Sequence, residues 1–411
     1  MKRRALVIGS VIALGGLIWL LRSGILAAAP GVTTLRPPLP RGSSTQVMLS
    51  RVPGGGVQPE VVLDDQDVLH MVYFAGEAGG GDLFYVRSAD FGATFTEPIR
   101  VNSQEGSAVA TGTIRGGHLA LGGGRVHVAW MGSAVAQPRG PDHPRLSQPS
   151  APMLYARSTE AGSGFEPQRN LVDRSYGLDG GAIAADAAGN VYVAWHGLQL
   201  GGPDGEGARA VLMARSRDAG ETFSAEAPVW SEPTGACACC GLGLFSAPGG
   251  DLHVLYRSAT ESVHRDMYLL RSTDAARSFR GARIHEWELA ACPMSSMAMI
   301  ASRDGILAAW ETAGQVWFGA VDRESPGVPA AIGAPSSGTN RKHPRLAVGE
   351  TGEVLLVWTE GTAWMRGGDL AWQLYDADLR PLGEMQRRPD LPVWSFGAPV
   401  ARGDGSFVIF Y

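Results

Sequence analysis

A nine-residue run that starts with Arg-Ser and ends in Phe occurs four times in this chain. The copies are RSADFGATF (Arg87 to Phe95), RSTEAGSGF (Arg157 to Phe165), RSRDAGETF (Arg215 to Phe223) and RSTDAARSF (Arg271 to Phe279). A period of roughly 50 to 70 residues requires stacked structural units, not unrelated domains. Each run reads as a tight turn between two strands. Asp90 or Asp218 can accept hydrogen bonds from backbone N–H groups of its own turn, Gly92 or Gly220 supplies a positive φ, and the final Phe packs back on the sheet. A short strand precedes each run, at 82–86 or 210–214, and an outer strand follows, so the turn joins the two outer strands of a small sheet.

A second repeat counts the sheets. Short apolar runs ending in an aromatic residue recur to Phe74, Trp130, Trp195, Tyr256, Trp310, Trp358 and Tyr411, as in VYVAW and VLLVW. That predicts an all-β propeller of four-stranded blades, with seven blades favoured over six. The last blade has only an inner pair, 396–400 and 407–411, and must borrow a strand; 46–52 is the natural donor, closing the ring and covering a sheet edge. Six blades would follow if that segment completed a blade counted twice. A chain of 411 residues would ordinarily suggest two or three domains, but the repeat implies a single propeller over 45–411.

The nine-residue runs resemble the Asp box, S-x-D-x-G-x-T-[FW], of sialidases and related BNR-repeat β-propellers. Two copies match fully; the second has Glu160 for Asp and Gly164 for Thr, and the fourth has Ala276 for Gly and Ser278 for Thr. The resemblance implies a structural turn on the outside of the blade, built on Asp90, Gly92, Asp218, Gly220 and Asp274, away from the ligand site. It speaks for the fold and not for a reaction. Sialidases themselves have six blades. The segments YRSATESVHRDMYLL, HEWELAACPMSS and RKHPRLAVGETGEVLLVWTEG also resemble an exported bacterial BNR-repeat subgroup that carries no established activity.

Sialidases resemble one another in clamping a substrate carboxylate with three arginines, and Arg257, Arg345 and Arg366 could supply such a clamp. The rest of that pattern is thin. The Arg-Ile-Pro element is represented only by Arg51-Val52-Pro53, Tyr73 and Tyr256 stand in no nucleophile context, and no carboxylate pair is singled out by spacing.

Lys2, Arg3 and Arg4 precede an apolar stretch from Ala5 to Leu21, near the minimum of about 17 to 25 residues for a membrane span. Residues 1–25 therefore read as a signal anchor or signal peptide and 26–44 as a Pro-rich spacer, with the propeller extracytoplasmic, in the periplasm or at the cell surface. The membrane is the expected partner of that segment. A net charge of -5 and the lack of basic runs beyond the N-terminus argue against nucleic acid as a partner.

All four cysteines fall between Cys237 and Cys292, in GACACCGLG and AACPMSSM, each just before the aromatic-ended strand of its blade. They are expected on the inner strands of the fourth and fifth blades, clustered at one mouth of the channel with His343 and Arg345. Two readings stay open: a disulfide framework, with cross-blade pairs to Cys292, or a soft-metal site for copper or zinc assembled from Cys237, Cys239, Cys240 and Cys292 with Met294, Met297 and Met299 nearby. Loops rich in polar groups reach the same mouth. They carry Arg257, His264, Arg265 and Asp266 in the fourth blade, His196, Glu311, and Glu360, Trp364 and Arg366 in the sixth, and Asp142, His143 and Arg145 in the second. The expected function is binding of a small ligand, a metal ion or an anionic glycan, at this mouth, with glycoside hydrolysis second and a non-catalytic scaffold third.

Overall fold

A computed structural model describes residues 46–144, 146–159, 162–335 and 340–411, all within one compact unit, Ser44–Tyr411. The expected signal segment and spacer lie outside the described residues, as do Arg145 and Glu160. Among the described residues no helix is long and apolar enough to cross a membrane.

Seven sheets follow one another along the chain. Their innermost strands are Val57–Leu63, His118–Gly122, Ser175–Ala185, Leu242–Ser246, Met297–Ser302, Lys342–Val348 and Ala398–Ala401. Blades one to six are antiparallel and four-stranded in sequence order. The seventh has three strands, Ala398–Ala401, Phe407–Phe410 and, from the other end of the described chain, Val47–Ser50. Val47–Ser50 runs parallel to Phe407–Phe410, with Val47 opposite Phe407 and Ser50 opposite Phe410. The count is seven, and the expected donor closes the ring.

The reason the second strands announced themselves in the sequence is that they are buried on both faces. In Val191–Gln199, Val191, Val193 and Trp195 face the second blade, while Tyr192 and Ala194 face the fourth, the period of two that a strand imposes. Trp130, Trp195, Trp310 and Trp358 occupy equivalent positions and are fully buried. Among the described residues seven apolar clusters are found, one in each gap between successive blades and one in the gap between the last blade and the first.

The Asp boxes have the expected internal geometry. The Asp218 carboxylate accepts from the Ser216 hydroxyl at 2.6 Å, the Thr222 N–H at 2.9 Å and the Thr222 hydroxyl at 2.6 Å. Asp90 makes the same bonds with Ser88 and Thr94, and Asp274 with Ser272 and Ser278. These donors hold the Asp90 and Asp218 carboxyls at about 2, well below the usual range, with the Ser88 and Ser216 hydroxyls the leading causes. The closing Phe differs from expectation: it packs on the preceding blade, not on its own sheet. Phe165 meets Tyr85 edge-on at 5.5 Å, Phe223 meets Tyr155 at 4.8 Å, and Phe95 meets Phe410 at 6.0 Å. The box thus staples neighbouring blades together.

Gly220 shows how tight that staple is. Its φ of 78° is left-handed, and a Cβ added there would fall on the Tyr155 hydroxyl. The fourth box has Ala276 at this place with φ 62°, and there the preceding blade contributes Met213 to the same cluster. Gly220→Val should therefore destabilise the domain by about 2 kcal/mol or more, read from its denaturation midpoint. An unchanged midpoint would show that the box is not under steric constraint.

Candidate functional site

The seven innermost strands surround a channel of about 650 Å³. Its apolar lining includes Ile183, Leu244, Met297, Met299 and Val400. One ion pair spans it: Arg345 of blade six donates to Glu60 of blade one at 2.5 Å, passing in front of blade seven. The Arg345 guanidinium also sits 4.4 Å from the Phe396 ring centre, a cation–π contact that helps fix it. His118 lies in the same lining, its charged form disfavoured chiefly by burial.

Above the channel a cleft forms where segments that lead into the innermost strands meet the hairpin after the second strand of blade six. It is lined by Thr113, Met294, Lys342, His343, Trp364, Arg366 and Trp394. The hairpin is tight: Ala363 and Arg366 exchange backbone hydrogen bonds at 3.1 Å each, so Trp364 and Met365 form its tip. Trp364 is 45% exposed, an unusual state for the largest apolar side chain. Its ring lies 6.4 Å from that of Trp394, whose indole N–H donates to the Trp364 carbonyl at 2.8 Å. Arg115 approaches the outer side of Trp364, 5.9 Å from the ring centre, and is locked by a bidentate pair with Asp179 at 2.7 and 2.8 Å. Gly112 makes that approach possible, since a Cβ there would stand 2.8 Å from the Arg115 guanidinium and 3.0 Å from Trp364.

The backbone of the cleft is strained. Thr113, Met294, His343 and Trp394, none of them glycine, hold φ of 61°, 49°, 53° and 59°. Each such residue costs on the order of 1–3 kcal/mol and persists only where surrounding structure enforces it. His343 is buried between Ser296, whose hydroxyl lies 2.9 Å from Nδ1, and Thr113, whose hydroxyl lies 3.2 Å from Nε2. Burial, with Lys342 and Arg345 adding repulsion, brings its pKa down to about 3, so the ring is neutral.

Of the residues the sequence places at the mouth, the cleft brings together His343, Trp364 and Arg366; Arg345 lies below it in the channel. Arg257 is fully buried, donating to Ser295 Oγ at 2.7 Å and to the carbonyls of Arg265 and Glu311, with its guanidinium 4.9 Å from the Trp287 ring centre. Arg265 and Asp266 are also buried, Arg265 paired with Glu206 at 2.7 Å and Asp266 accepting from the Trp287 N–H at 2.9 Å. His264 stays partly exposed beside Glu288, at 3.9 Å. Arg257 is thus buried, Arg345 is held by Glu60 and Arg366 stands exposed at the cleft, so the three do not present one clamp to a carboxylate. Thr113, Arg115, Asp179 and Trp394 went unnoticed in the sequence. Their common signal is position: Thr113 and Trp394 sit in segments just before an innermost strand, as the cysteines do.

Those cysteines are in the loops before the innermost strands, not in the strands. Cys239 and Cys292 form a disulfide with Cα atoms 6.3 Å apart, joining blade four to blade five. Cys237 and Cys240 are free and buried, with sulfurs 2.6 Å apart. The sulfurs of Cys237, Cys239 and Cys240 all lie within 4.8 Å of one another, but with Cys239 oxidised they do not offer three thiolates to one ion. Two charged groups close by are perturbed. Burial raises the Glu311 pKa against the pull of Arg257 and Lys342, and burial lowers that of Lys342 against Glu311 and Cys240.

Fold and turns define the class: a seven-bladed β-propeller with Asp-box staples, whose structural neighbours are sialidases and arabinanases. An α-L-arabinanase from Penicillium chrysogenum, complexed with arabinobiose, aligns with a TM-score of 0.50 at 14% identity, over 82% of this chain and 98% of that one. The intramolecular trans-sialidase of Ruminococcus gnavus, in complex with oseltamivir carboxylate, gives 0.52 at 12% identity, over 79% and 95%. A leech intramolecular trans-sialidase gives 0.52 at 11%, over 78% and 68%. At these identities the likeness concerns the fold alone. No family model matches the chain, and no curated protein does.

Proposed function

We propose that this protein is an exported, membrane-anchored propeller that binds an anionic glycan across the rim of the cleft above the channel, where Trp364 and Arg366 are exposed over the buried His343. The observation that carries this reading is the convergence of four left-handed, non-glycine residues on one cleft with an exposed Trp at its lip. An indole face suits the C–H face of a sugar ring, and the exposed Arg366 guanidinium suits a carboxylate. The Cys239–Cys292 disulfide favours an oxidising compartment, in keeping with export through the N-terminal segment. Neighbours named as a sialidase-type enzyme bound to oseltamivir carboxylate and an arabinanase bound to arabinobiose support a carbohydrate as the ligand class.

Isothermal titration with sialyllactose and other acidic oligosaccharides tests the proposal. Trp364→Ala and Arg366→Ala should each weaken binding about ten-fold or more, Arg366→Ala with thermal stability unchanged because its side chain is exposed and Trp364→Ala with the seven blade-to-blade clusters intact. Absence of binding across an acidic panel, or equal binding by both variants, would sink it. Steady release of a fluorogenic aglycone from a sialoside would replace binding with hydrolysis as the function.

A further inference from the structure

The cysteine cluster has a graded structure that neither a plain cross-link nor ligand binding explains. The Cys239–Cys292 bond lies at the surface, with Cys292 exposed and Cys239 half-buried, whereas Cys237 and Cys240 beneath it are fully buried. Cys237 and Cys240 bracket a tight turn, Cys240 N–H donating to the Cys237 carbonyl at 3.2 Å, which brings their sulfurs to 2.6 Å. Cys237 Sγ is also 3.6 Å from Cys239 Sγ, so one buried sulfur touches both its partner and the surface bond. Ser295 Oγ points at Cys240 Sγ from 3.7 Å and is itself held by the buried Arg257 guanidinium at 2.7 Å, a positive charge set behind that sulfur.

We propose that these four cysteines form a thiol–disulfide exchange site, in which the exposed Cys239–Cys292 bond trades electrons with disulfide-bearing molecules and the buried Cys237 and Cys240 thiols are its electron store. The internal step needs no outside oxidant. Cys240 starts as the thiolate and takes the proton of Cys237, whose sulfur attacks Cys239 Sγ; the Cys239–Cys292 bond breaks, a Cys237–Cys239 bond forms, and Cys292 leaves as a thiolate. Cys240 sulfur then loses a proton and attacks Cys237 Sγ, the Cys237–Cys239 bond breaks, and Cys239 leaves as a thiol. The buried pair has been oxidised and the surface disulfide reduced by two electrons, with one proton passed from Cys237 through Cys240 to Cys239 and the negative charge moved from Cys240 to Cys292. An external disulfide can then be reduced: Cys292 attacks it, releasing one thiol, and Cys239 resolves the mixed disulfide, releasing the second and restoring the surface bond. Placing Arg257 and Ser295 at Cys240 favours its thiolate, the form that such exchange requires.

Disulfide mapping by mass spectrometry on the full chain tests this. Protein equilibrated in glutathione buffers is quenched with a thiol-blocking reagent, digested at low pH and mapped. The two-thiol form should contain both Cys239–Cys292 and Cys237–Cys240 linkages, and oxidised glutathione should close the buried pair about ten-fold faster in the wild type than in Cys239→Ser. Cys240→Ser should accumulate the Cys237–Cys239 linkage with Cys292 free. The proposal falls if Cys237 and Cys240 stay reduced at every glutathione ratio that leaves Cys239–Cys292 intact. It also falls if all four cysteines resist oxidation while retaining stoichiometric zinc or copper. The wild-type map stands even if a Ser variant does not fold.

Discussion

Acidification from pH 7 to pH 5 is expected to destabilise this propeller steeply, and buried histidines are the cause. His127, His196, His253 and His343 are all nearly or fully buried, and burial is the first cause of lowering in each. Their pKa values fall from 6.5 to about 4 for the first three and to about 3 for His343. As pH drops below 6.5 the unfolded chain takes up protons that the native state refuses, so the stability of the native state falls with pH until each folded pKa is reached. Each group contributes up to about 1.4 kcal/mol per pH unit in that window. Four together approach the whole stability of a typical domain, on the order of 5–15 kcal/mol, within two pH units. The Asp-box carboxylates do not offset this; their contribution is complete above about pH 4 and is lost only as pH falls through about 2. Calorimetric melting at constant ionic strength should show a falling midpoint from just below pH 6.5, and a flat profile to pH 5 would refute the account. His127→Gln should make the slope shallower, since His127 bridges the Tyr155 hydroxyl at 2.7 Å and the Gly122 carbonyl at 3.0 Å as a neutral ring.

The second large effect concerns the seam. Phe407 N–H donates to Gln46 O at 2.9 Å, Tyr411 N–H to Ser50 O at 3.1 Å, and Val52 N–H to Tyr411 O at 3.2 Å. Even-numbered residues of this strand therefore face its partner, and the alternation of a strand puts the Met48 backbone on that side and Leu49 on the other. Met48→Pro should cost about 3 kcal/mol, from the lost ladder bond, the distortion around it and the lost packing of Met48, and should bare the Phe407–Phe410 edge to other chains. Leu49→Pro removes an N–H that faces away and should cost far less. Equal melting points and equal oligomer content for the two would mean that the ring is not closed by this pairing.

The sequence exposed what repeats and what is locally determined. Aromatic-ended strands were countable because each is sandwiched between blades, and the Asp boxes because they are self-contained turns. Where a side chain goes when its neighbour lies a blade away is not legible, so the sequence alone places the box Phe residues on their own sheets. Arg257 illustrates the same limit: it follows a strand end at the mouth, like a ligand group, yet Trp287 and the Arg265–Asp266 segment close over it. The cleft unites residues of blades two, five, six and seven, and the left-handed backbones of Thr113 and Trp394 have no counterpart in residue identity.

Because each apolar cluster lies in a gap between blades, cohesion is carried by residues other than those to which the proposed recognition is assigned. Trp364 and Arg366 belong to none of the seven clusters. If the proposed function holds, exchanging the hairpin that carries them for another of equal length should redirect the molecule to a new ligand while the wheel beneath keeps the same shape.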